Sequence, residues 1–229
     1  MASGFRLVLF GPPGAGKGTQ ARLLSRHLEI LPISTGDLFR SNLQTETPLG
    51  LKASRYMNQG LLVPDDVTID IVLATVLSIG SDEGFILDGF PRNRCQAAAL
   101  EEALDRRSRG LDLVVSIDVP EEVTIARITM RFVCRDCQSP YTLTAPERPD
   151  GATSKRCESC GGELYRRDDD TPAAIRKRIE VYRGETLPVM EFYRERNLLA
   201  EVGGVGSVED VYNRVIMEIQ RVSKSKDRE

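Results

Sequence analysis

The stretch that decides the fold is LVLFGPPGAGKGTQ, which spans Leu7 to Gln20. Its apolar beginning, together with the two residues before it, predicts a buried strand over 5–10. After the loop, Lys17 to Leu28 places Ala and Leu side chains at helical spacing, which predicts a helix with one apolar face. The stretch is therefore a strand–loop–helix junction that is rich in glycine and ends its loop with a lysine.

The loop nearly fits the phosphate-binding pattern G-x-x-x-x-G-K-[ST]. Gly11, Gly16 and Lys17 carry the pattern, while Gly18 stands where a hydroxyl residue is usual and Thr19 follows it. Glycines let backbone N–H groups approach phosphate oxygens without a Cβ clash, and the next helix adds the positive end of its dipole. Lys17 adds a mobile positive charge for the outer phosphates. The loop predicts a nucleotide site, and the base-reading sequence N-K-x-D of GTPases is absent from the chain.

Apolar strands alternate with helical patterns through the rest of the chain. We predict further buried strands over 84–90, 111–119 and 198–202, and helices over 121–129 and 208–222. Continuous apolar strands that alternate with helices are typical of a parallel sheet covered on both faces. The predicted fold class is α/β, a P-loop parallel sheet with helices on both faces.

Two segments interrupt this alternation. Residues 34–63 contain helical pieces and turn signals but no clear strand, and residues 130–170 are rich in Cys, Arg, Pro, Asp and Gly. We interpret both segments as insertions mounted on the α/β core.

The composition excludes several broad classes of protein. The 229 residues carry a net charge of −3, which argues against a generally basic nucleic-acid or membrane surface. No apolar run approaches the roughly 18 residues that a membrane-spanning helix needs, and Ala2 after the initiator Met gives no myristoylation signal. We therefore expect a cytoplasmic protein that binds neither membranes nor nucleic acid.

Four of the five cysteines lie in one short stretch. Cys134 and Cys137 form one C-x-x-C pair, and Cys157 and Cys160 form a second, a spacing typical of zinc sites. Four thiolates leave no open coordination position, so we expect a structural metal. Such a site suits an insertion of ~40 residues, which cannot bury much core of its own. Iron or a pair of disulfides is the alternative.

Five more motifs follow the phosphate loop in order. They are STGDLFR (34–40), GLLVPDD (60–66), DGFPRNRCQ (88–96), RITMRFVC (127–134) and RRDDDTPAAIRKRIEVY (166–182). Together with the loop they closely resemble the adenylate kinase family, in the bacterial long form whose lid carries zinc. The resemblance runs from Phe5 to about Val222.

The resemblance implies an organisation and a reaction. It divides the chain into a CORE P-loop domain (1–33, 64–129 and 171–229), a nucleoside-monophosphate-binding insertion (34–63) and a zinc-bearing LID insertion (130–170). The implied reaction is the reversible, Mg²⁺-dependent transfer of the terminal phosphoryl group of ATP to AMP, giving two ADP. The implied partners are these three nucleotides, the implied cofactors are Mg²⁺ with ATP and structural Zn²⁺, and the implied state is a monomer.

The resemblance also assigns roles to individual residues. The residues implied in catalysis are Lys17, Asp88, Arg92, Arg131, Arg167 and Arg178. Those implied in binding ATP are Gly14, Ala15, Gly16, Lys17, Gly18, Thr19, Arg127, Arg131, Pro140, Tyr141 and Gly206. Those implied in binding AMP are Thr35, Arg40, Leu61, Leu62, Val63, Gly89, Phe90, Pro91, Arg92, Gln96, Arg167 and Arg178.

These residue types also suit the implied chemistry. Phosphoryl transfer between two nucleotides crowds negative oxygens together, so catalysis rests mainly on positioning and charge stabilisation, to which arginine forks are suited. The carboxamide of Gln96 offers adenine a donor and an acceptor, and Asp88 at a strand end can hold Mg²⁺ through water. His27 is interpreted as a surface or packing residue. In the family, carboxylates at the positions of Asp169 and Asp170 help to close the lid against the hinge arginines.

Two other functions stay open at this point. One is a UMP/CMP or GMP kinase. The other is a zinc-ribbon nucleic-acid-binding module with a vestigial P-loop, which the arginines near the cysteines favour and which the negative charge and the lack of interleaved aromatic residues oppose. Met130 and Gln138 stand where the family usually has glycine, and Met130 removes a flexible hinge position, so we expect lid opening to differ.

Overall fold

The computed structural model describes residues 4–144 and 155–226 and contains, within them, eight strands and nine α-helices. The strands are β1 (Arg6–Phe10), β2 (Leu31–Ser34), β3 (Phe85–Asp88), β4 (Leu113–Asp118), β5 (Arg131–Cys134), β6 (Pro140–Thr142), β7 (Leu164–Tyr165) and β8 (Leu199–Gly203). The helices are α1 (Lys17–Leu28), α2 (Thr35–Gln44), α3 (Pro48–Met57), α4 (Asp65–Ser78), α5 (Arg94–Asp105), α6 (Glu121–Thr129), α7 (Pro172–Val181), α8 (Leu187–Arg194) and α9 (Val208–Lys226). The predicted α/β fold class is confirmed.

Five of the strands form one parallel sheet, in the order β2-β3-β1-β4-β8. Four of them are the strands that the apolar runs predict. The edge strand β2 was not predicted, because it is short, contains Pro32, and exposes Leu31 and Pro32 to solvent. Parallel pairing brings the carboxyl ends of all five strands to one edge, where ligands bind in such sheets.

The three central strands of the sheet are buried on both faces, as their continuous apolar runs require. Successive side chains of β1 alternate between two core clusters. Leu7 and Leu9 pack on the side of α1 and α9, whereas Val8 and Phe10 pack on the side of α4, α5 and α8. Burying each such side chain stabilises the fold by roughly 1.5–3 kcal/mol. The core thus fixes the strand ends from which the functional loops emerge.

The two interrupting segments have small cores of their own. In 34–63, the Ser34 hydroxyl caps α2 by accepting from the Asp37 N–H, and Phe39, Ala53 and Val63 form an apolar cluster. In 130–170, β5 pairs antiparallel with β6 and β7. The described part of this small sheet packs around Phe132, Cys134, Leu143, Cys157 and Leu164.

A π-helical turn, Tyr182–Thr186, joins α7 to α8 without a break. Pro188 follows in the first turn of α8 and has no N–H, so a regular helical bond to the carbonyl four residues earlier cannot form. The wider π turn accommodates this missing donor. Such turns are frequent at functional sites.

The last helix is longer than the prediction. We predicted a helix over 208–222, but α9 continues to Lys226. Among residues 4–144 and 155–226, no helix combines the length and the apolar character needed to cross a membrane.

Candidate active site

A cavity of about 810 Å³ lies at the carboxyl edge of the parallel sheet. Its described lining includes eight basic side chains and only four acidic ones, although the whole chain carries a net charge of −3. The structure brings almost all of the nucleotide-site residues implied by the resemblance to this one cavity. The exception is Phe90, whose ring is buried in the core behind it. The arrangement can concentrate positive charge around an anionic ligand.

The phosphate loop has the backbone that its glycines predict. Gly14 and Gly16 have φ angles of 85° and 96°, in the left-handed region that favours glycine. A Cβ on Gly14 would also lie 2.8 Å from the Thr124 carbonyl oxygen. Gly16 caps α1 without any side-chain hydrogen bond. The first N–H groups of α1 have no side-chain cap, and they form the kind of helix N-terminus at which phosphate binds.

Lys17 is the first residue of α1 and folds back over the loop. Its Nζ donates to the carbonyl oxygens of Gly11 at 2.8 Å and Pro12 at 3.0 Å. Burial lowers the pKa of Lys17 to about 8, although the charge of Asp88 opposes this shift. An ammonium group held in a buried site with few compensating charges interacts strongly with any phosphate that enters.

Asp88 ends β3 beside this lysine. Burial raises the pKa of Asp88, and the charge of Lys17 opposes the rise. A Cβ on Gly18 would lie 3.2 Å from Oδ2 of Asp88. The contact is tight, so a side chain at residue 18 would require the Asp88 carboxylate to shift slightly.

The backbone around Arg92 is held by several hydrogen bonds. Arg92 Nε donates to the Gly89 carbonyl at 2.8 Å, and Thr35 Oγ1 donates to the same carbonyl at 2.9 Å. From the π turn, Thr186 Oγ1 donates to the Arg92 carbonyl at 2.9 Å. Burial lowers the pKa of Arg92. The guanidinium group is therefore fixed before any ligand binds.

Asp170 connects two of the predicted arginines. Arg131 donates to its two oxygens from Nε at 2.9 Å and from Nη2 at 2.6 Å. Arg178 Nη2 donates to Asp170 at 2.7 Å, and Arg178 Nη1 donates to Asp169 at 3.3 Å. Burial opposes ionisation of Asp170, but the two arginines hold its pKa below the usual range. Asp170 therefore links Arg131 of β5 to Arg178 of α7, whereas Asp169 contacts Arg178 alone.

A second acidic group, Asp37, contacts two more of the predicted arginines. Arg40 Nη2 lies 2.6 Å from Asp37 Oδ1, and Arg167 Nη2 lies 3.7 Å from the same atom. Burial opposes ionisation of Asp37, yet the charge of Arg40 holds its pKa below the usual range. Burial lowers the pKa of Arg167 to about 10, and the charge of Arg40 adds to this shift.

Several arginine nitrogens in the cavity are buried without a hydrogen-bond partner. Among the described residues, Nε of Arg40, Arg167 and Arg178 each lack an acceptor. Buried donors are rarely left unpaired in native proteins. These N–H groups are suited to an anionic ligand that carries several acceptor oxygens.

Elsewhere in the cavity lining, Arg127 Nη2 donates to the carbonyl of Gly204, which follows β8, at 3.0 Å. Pro140 and Tyr141 line the cavity, and the Tyr141 ring also packs in the lid cluster. Gln138, also in the lining, has a φ of 56°, so it keeps the left-handed backbone that glycine would adopt more easily.

Sequence reasoning missed several lining residues. Arg22 on α1 donates from Nη2 to the Gln138 carbonyl of the lid. Its position four residues after Gly18 places it on the same helix face, a signal that could have identified it. Tyr182 and Thr186 come from the π turn, and Asp37 lies inside the quoted motif STGDLFR without an assigned role.

The four clustered cysteines form a candidate metal centre. Their Sγ atoms all lie within 4.8 Å of one another, and Cys134–Cys160 and Cys137–Cys157 are each 3.4 Å apart. Tetrahedral zinc with bonds of ~2.3 Å requires sulfurs about 3.8 Å apart, so this donor set fits. A Cβ on Gly162 would lie 2.8 Å from the Cys134 sulfur, so the knuckle has no room for a side chain there. The structure has no S–S bond among these four sulfurs.

The chain was also compared with known proteins. The sequence profile of the family described as adenylate kinase matches residues 9–198. An adenylate kinase of Clostridium botulinum strain Loch Maree is 44% identical over 211 residues, which are 92% of this chain and 96% of the relative. The adenylate kinase of Methanocella arvoryzae is 45% identical over 220 residues, 95% of this chain and 100% of the relative. That of Streptomyces avermitilis is 44% identical over 223 residues, 96% of this chain and 100% of the relative.

The family match covers the phosphate loop, the arginines and the cysteine cluster together. It therefore favours an enzyme over the nucleic-acid-binding alternative, in which the loop would be vestigial. The family profile matches most of the chain, and the chain covers almost the full length of these relatives. The chain therefore belongs to the adenylate kinase family.

Proposed function

We propose that the protein transfers the terminal phosphoryl group of ATP to AMP, reversibly and with Mg²⁺, giving two ADP. Membership of the family makes it a nucleoside monophosphate kinase, and thus a phosphotransferase. The single observation that carries the proposed reaction is the cavity, which is lined by cations from the phosphate loop, α2, β5 and α7. Two nucleotides meeting end to end require that concentration of positive charge.

ATP is proposed to place its phosphates on the loop around Gly14 to Thr19, with Lys17 on the outer phosphates. AMP is proposed to lie on the other side, between Leu61–Val63 and Gln96, with its phosphate on Arg40 and Arg92. The contacts that fix Arg92 and Thr35 to the Gly89 carbonyl support this placement, because they pre-orient the binding groups.

Arg131, Arg167 and Arg178 are proposed to stabilise the charge of the transferring group. Their partners Asp37, Asp169 and Asp170 hold the guanidinium groups before substrates arrive. No protein base is needed, because a loose phosphoryl-transfer transition state is stabilised mainly by positioning and charge. The buried setting strengthens each of these interactions.

Two metals are proposed. Asp88 and Thr19 offer oxygen ligands beside the loop and would hold Mg²⁺ directly or through water; bound there, Mg²⁺ neutralises phosphate charge. The four cysteines would hold Zn²⁺ as a structural ion, and iron is the other metal that suits four thiolates. The metal would tie together the ends of the lid sheet.

The domain organisation is proposed to follow the family. Residues 34–63 and 130–170 would act as mobile insertions on the core of 1–33, 64–129 and 171–229. The separate apolar clusters in the two insertions support their acting as units. We also propose a monomer in the cytoplasm. Light scattering on the purified protein tests the oligomeric state.

Turnover of ATP with AMP, UMP, CMP and GMP in a coupled assay tests the proposal. We expect AMP to give the highest kcat/KM, and Arg92→Ala to lose at least roughly 100-fold while keeping its fold. Arg94→Ala is the matched control, because this exposed arginine lies two residues further on at the start of α5. A clear preference for UMP or GMP, or a full rate in folded Arg92→Ala, would overturn the assignment.

A further inference from the structure

Asp65, the first residue of α4, lies where two carboxamide side chains converge. Gln96 Nε2 donates to Asp65 Oδ1 at 2.7 Å. Asn93 Nδ2 donates to both carboxylate oxygens, at 2.9 and 3.0 Å. Asp65 has no role in the predicted catalytic or binding sets, and its carboxylate accepts a hydrogen bond from the amide of Gln96.

The other ends of the two amides are held by backbone donors. Gln96 Oε1 accepts from the Arg92 N–H at 2.8 Å, and Asn93 Oδ1 accepts from the Gln96 N–H at 2.9 Å as the cap of α5. A backbone N–H can only donate, and an ionised carboxylate can only accept. A flipped Gln96 amide would turn its NH₂ toward a donor and its oxygen toward a carboxylate. Both contacts would then be repulsive, so the orientation of the amide is fixed from two sides.

Gln96 is 1% exposed and lines the cavity. An amide oxygen has two lone pairs and an amide nitrogen has two hydrogens. One of each is used by Arg92 and Asp65, which leaves one acceptor and one donor for a ligand. That remaining pair matches adenine, which offers N6–H as a donor and N1 as an acceptor. A 6-oxopurine offers the reverse, O6 as an acceptor and N1–H as a donor, and would need the flipped amide.

We propose that Asp65 is a specificity-determining residue, which fixes the amide of Gln96 in the orientation that accepts adenine and rejects 6-oxopurines. The inference rests on the proposed function, because it takes Gln96 to contact the base of the monophosphate. Asp65 acts through Gln96 and is a positioning residue. Replacing it should therefore change the selectivity between bases more than it changes the stability of the fold.

Inosine monophosphate is the sharpest probe, because its base reverses the donor and acceptor of adenine and adds no further group. In Asp65→Asn, the new carboxamide can either accept a hydrogen bond from the Gln96 amide or donate one to it. It therefore no longer disfavours the flipped Gln96 amide, and only the Arg92 N–H still opposes the flip. Because this variant loses a hydrogen bond to a charged group, we expect the ratio of kcat/KM for AMP to that for IMP to fall roughly tenfold. Asp65→Ala is a second variant with the same expected direction.

Asp66→Asn is the matched control, because it removes one carboxylate from the same helical turn at an exposed position. We expect it to leave the ratio within about twofold of the wild type. A folded Asp65→Asn that keeps the full preference for AMP, or that loses both substrates in parallel, overturns the inference and leaves the proposed function standing. If the wild-type chain itself prefers IMP to AMP, the proposed function falls together with the inference.

Discussion

Asp170→Asn tests whether the arginines of the cavity depend on buried carboxylates. The Asp170 side chain is 0% exposed and accepts three hydrogen bonds, two from Arg131 at the base of the lid and one from Arg178 on α7. Asparagine keeps the shape of the side chain but removes its charge. It also turns an NH₂ group toward arginines that can only donate.

The expected loss of stability follows from this geometry. Removing one partner of a buried ion pair costs about 3–5 kcal/mol. Arg131 and Arg178 are 21% and 15% exposed, so water can reach them in part and we take the lower end of that range. For a protein of this size each kcal/mol shifts Tm by roughly 2–4 °C. We therefore expect Tm to fall by about 6–12 °C at pH 7.

The same pair predicts how the loss depends on pH. The folded-state pKa of Asp170 lies below its ordinary value of 3.8, so the folded protein binds this proton less tightly than the unfolded chain does. The stabilisation is therefore complete above pH ~4 and is lost as pH falls through the folded-state pKa. The difference in Tm between the wild type and Asp170→Asn should therefore shrink as the pH falls below about 4.

Thermal melts followed by circular dichroism from pH 3 to pH 8 measure both effects. The exposed neighbour Asp168→Asn is the control and should change the free energy of unfolding by no more than about 0.5 kcal/mol. An Asp170→Asn protein that melts with the wild type at pH 7 would refute the reasoning. A Tm difference that stays constant down to pH 3 would show that the lost stability is not due to the charge.

Two further predictions concern Lys17 and the cysteines. Because the pKa of Lys17 is about 8, its ammonium form is lost above that pH, and kcat/KM for ATP should fall there by up to tenfold per pH unit. The side chain in Lys17→Arg stays charged, so this variant should have a lower kcat/KM that does not decline above pH 8. If the variant shows the same decline, the decline is not due to Lys17. Removing metal with a chelator should speed hydrogen exchange in 130–144 and 155–165 before it does so in the parallel sheet, because a structural metal supplies folding energy to its own site. Unchanged exchange in a sample shown to be free of metal would count against a structural role.

Much of the fold could be predicted because its determinants are local. The apolar runs of β1, β3 and β4 exceed what a half-exposed strand would need, and they indicated buried parallel strands. The edge strand β2 lacked this signal, because half of its residues face solvent and its pairing with β3 depends on the sheet that is already present. The boundaries of α1 and α6 matched the prediction, since glycine or proline marks the start of each.

Most cations of the candidate site could be predicted from motifs, whereas two of its carboxylates, Asp37 and Asp65, could not. Phosphate chemistry requires arginine and lysine, so Lys17, Arg92 and Arg131 could be selected from motifs. Asp37 and Asp65 had no such reason to be selected, because a carboxylate in a phosphate site opposes the ligand's charge. Their roles depend on which side chains the fold brings next to them from distant parts of the sequence, as it does with Asp65 and Gln96.

The carboxylates of the cavity have a physical role that the phosphate chemistry alone would not require. Burial lowers the pKa of Lys17, Arg92 and Arg167, and neighbouring cations add to each shift. With no anion bound, several buried cations would repel one another and favour conformations that separate them. Asp37 and Asp170 reduce this repulsion and fix the guanidinium groups, yet the basic side chains of the lining still outnumber the acidic ones. The fold can therefore hold the cations in place before substrate binds, and the remaining excess of positive charge is available to the phosphates. It follows that replacing such a carboxylate should weaken the fold first, and affect turnover through the lost orientation of its arginines.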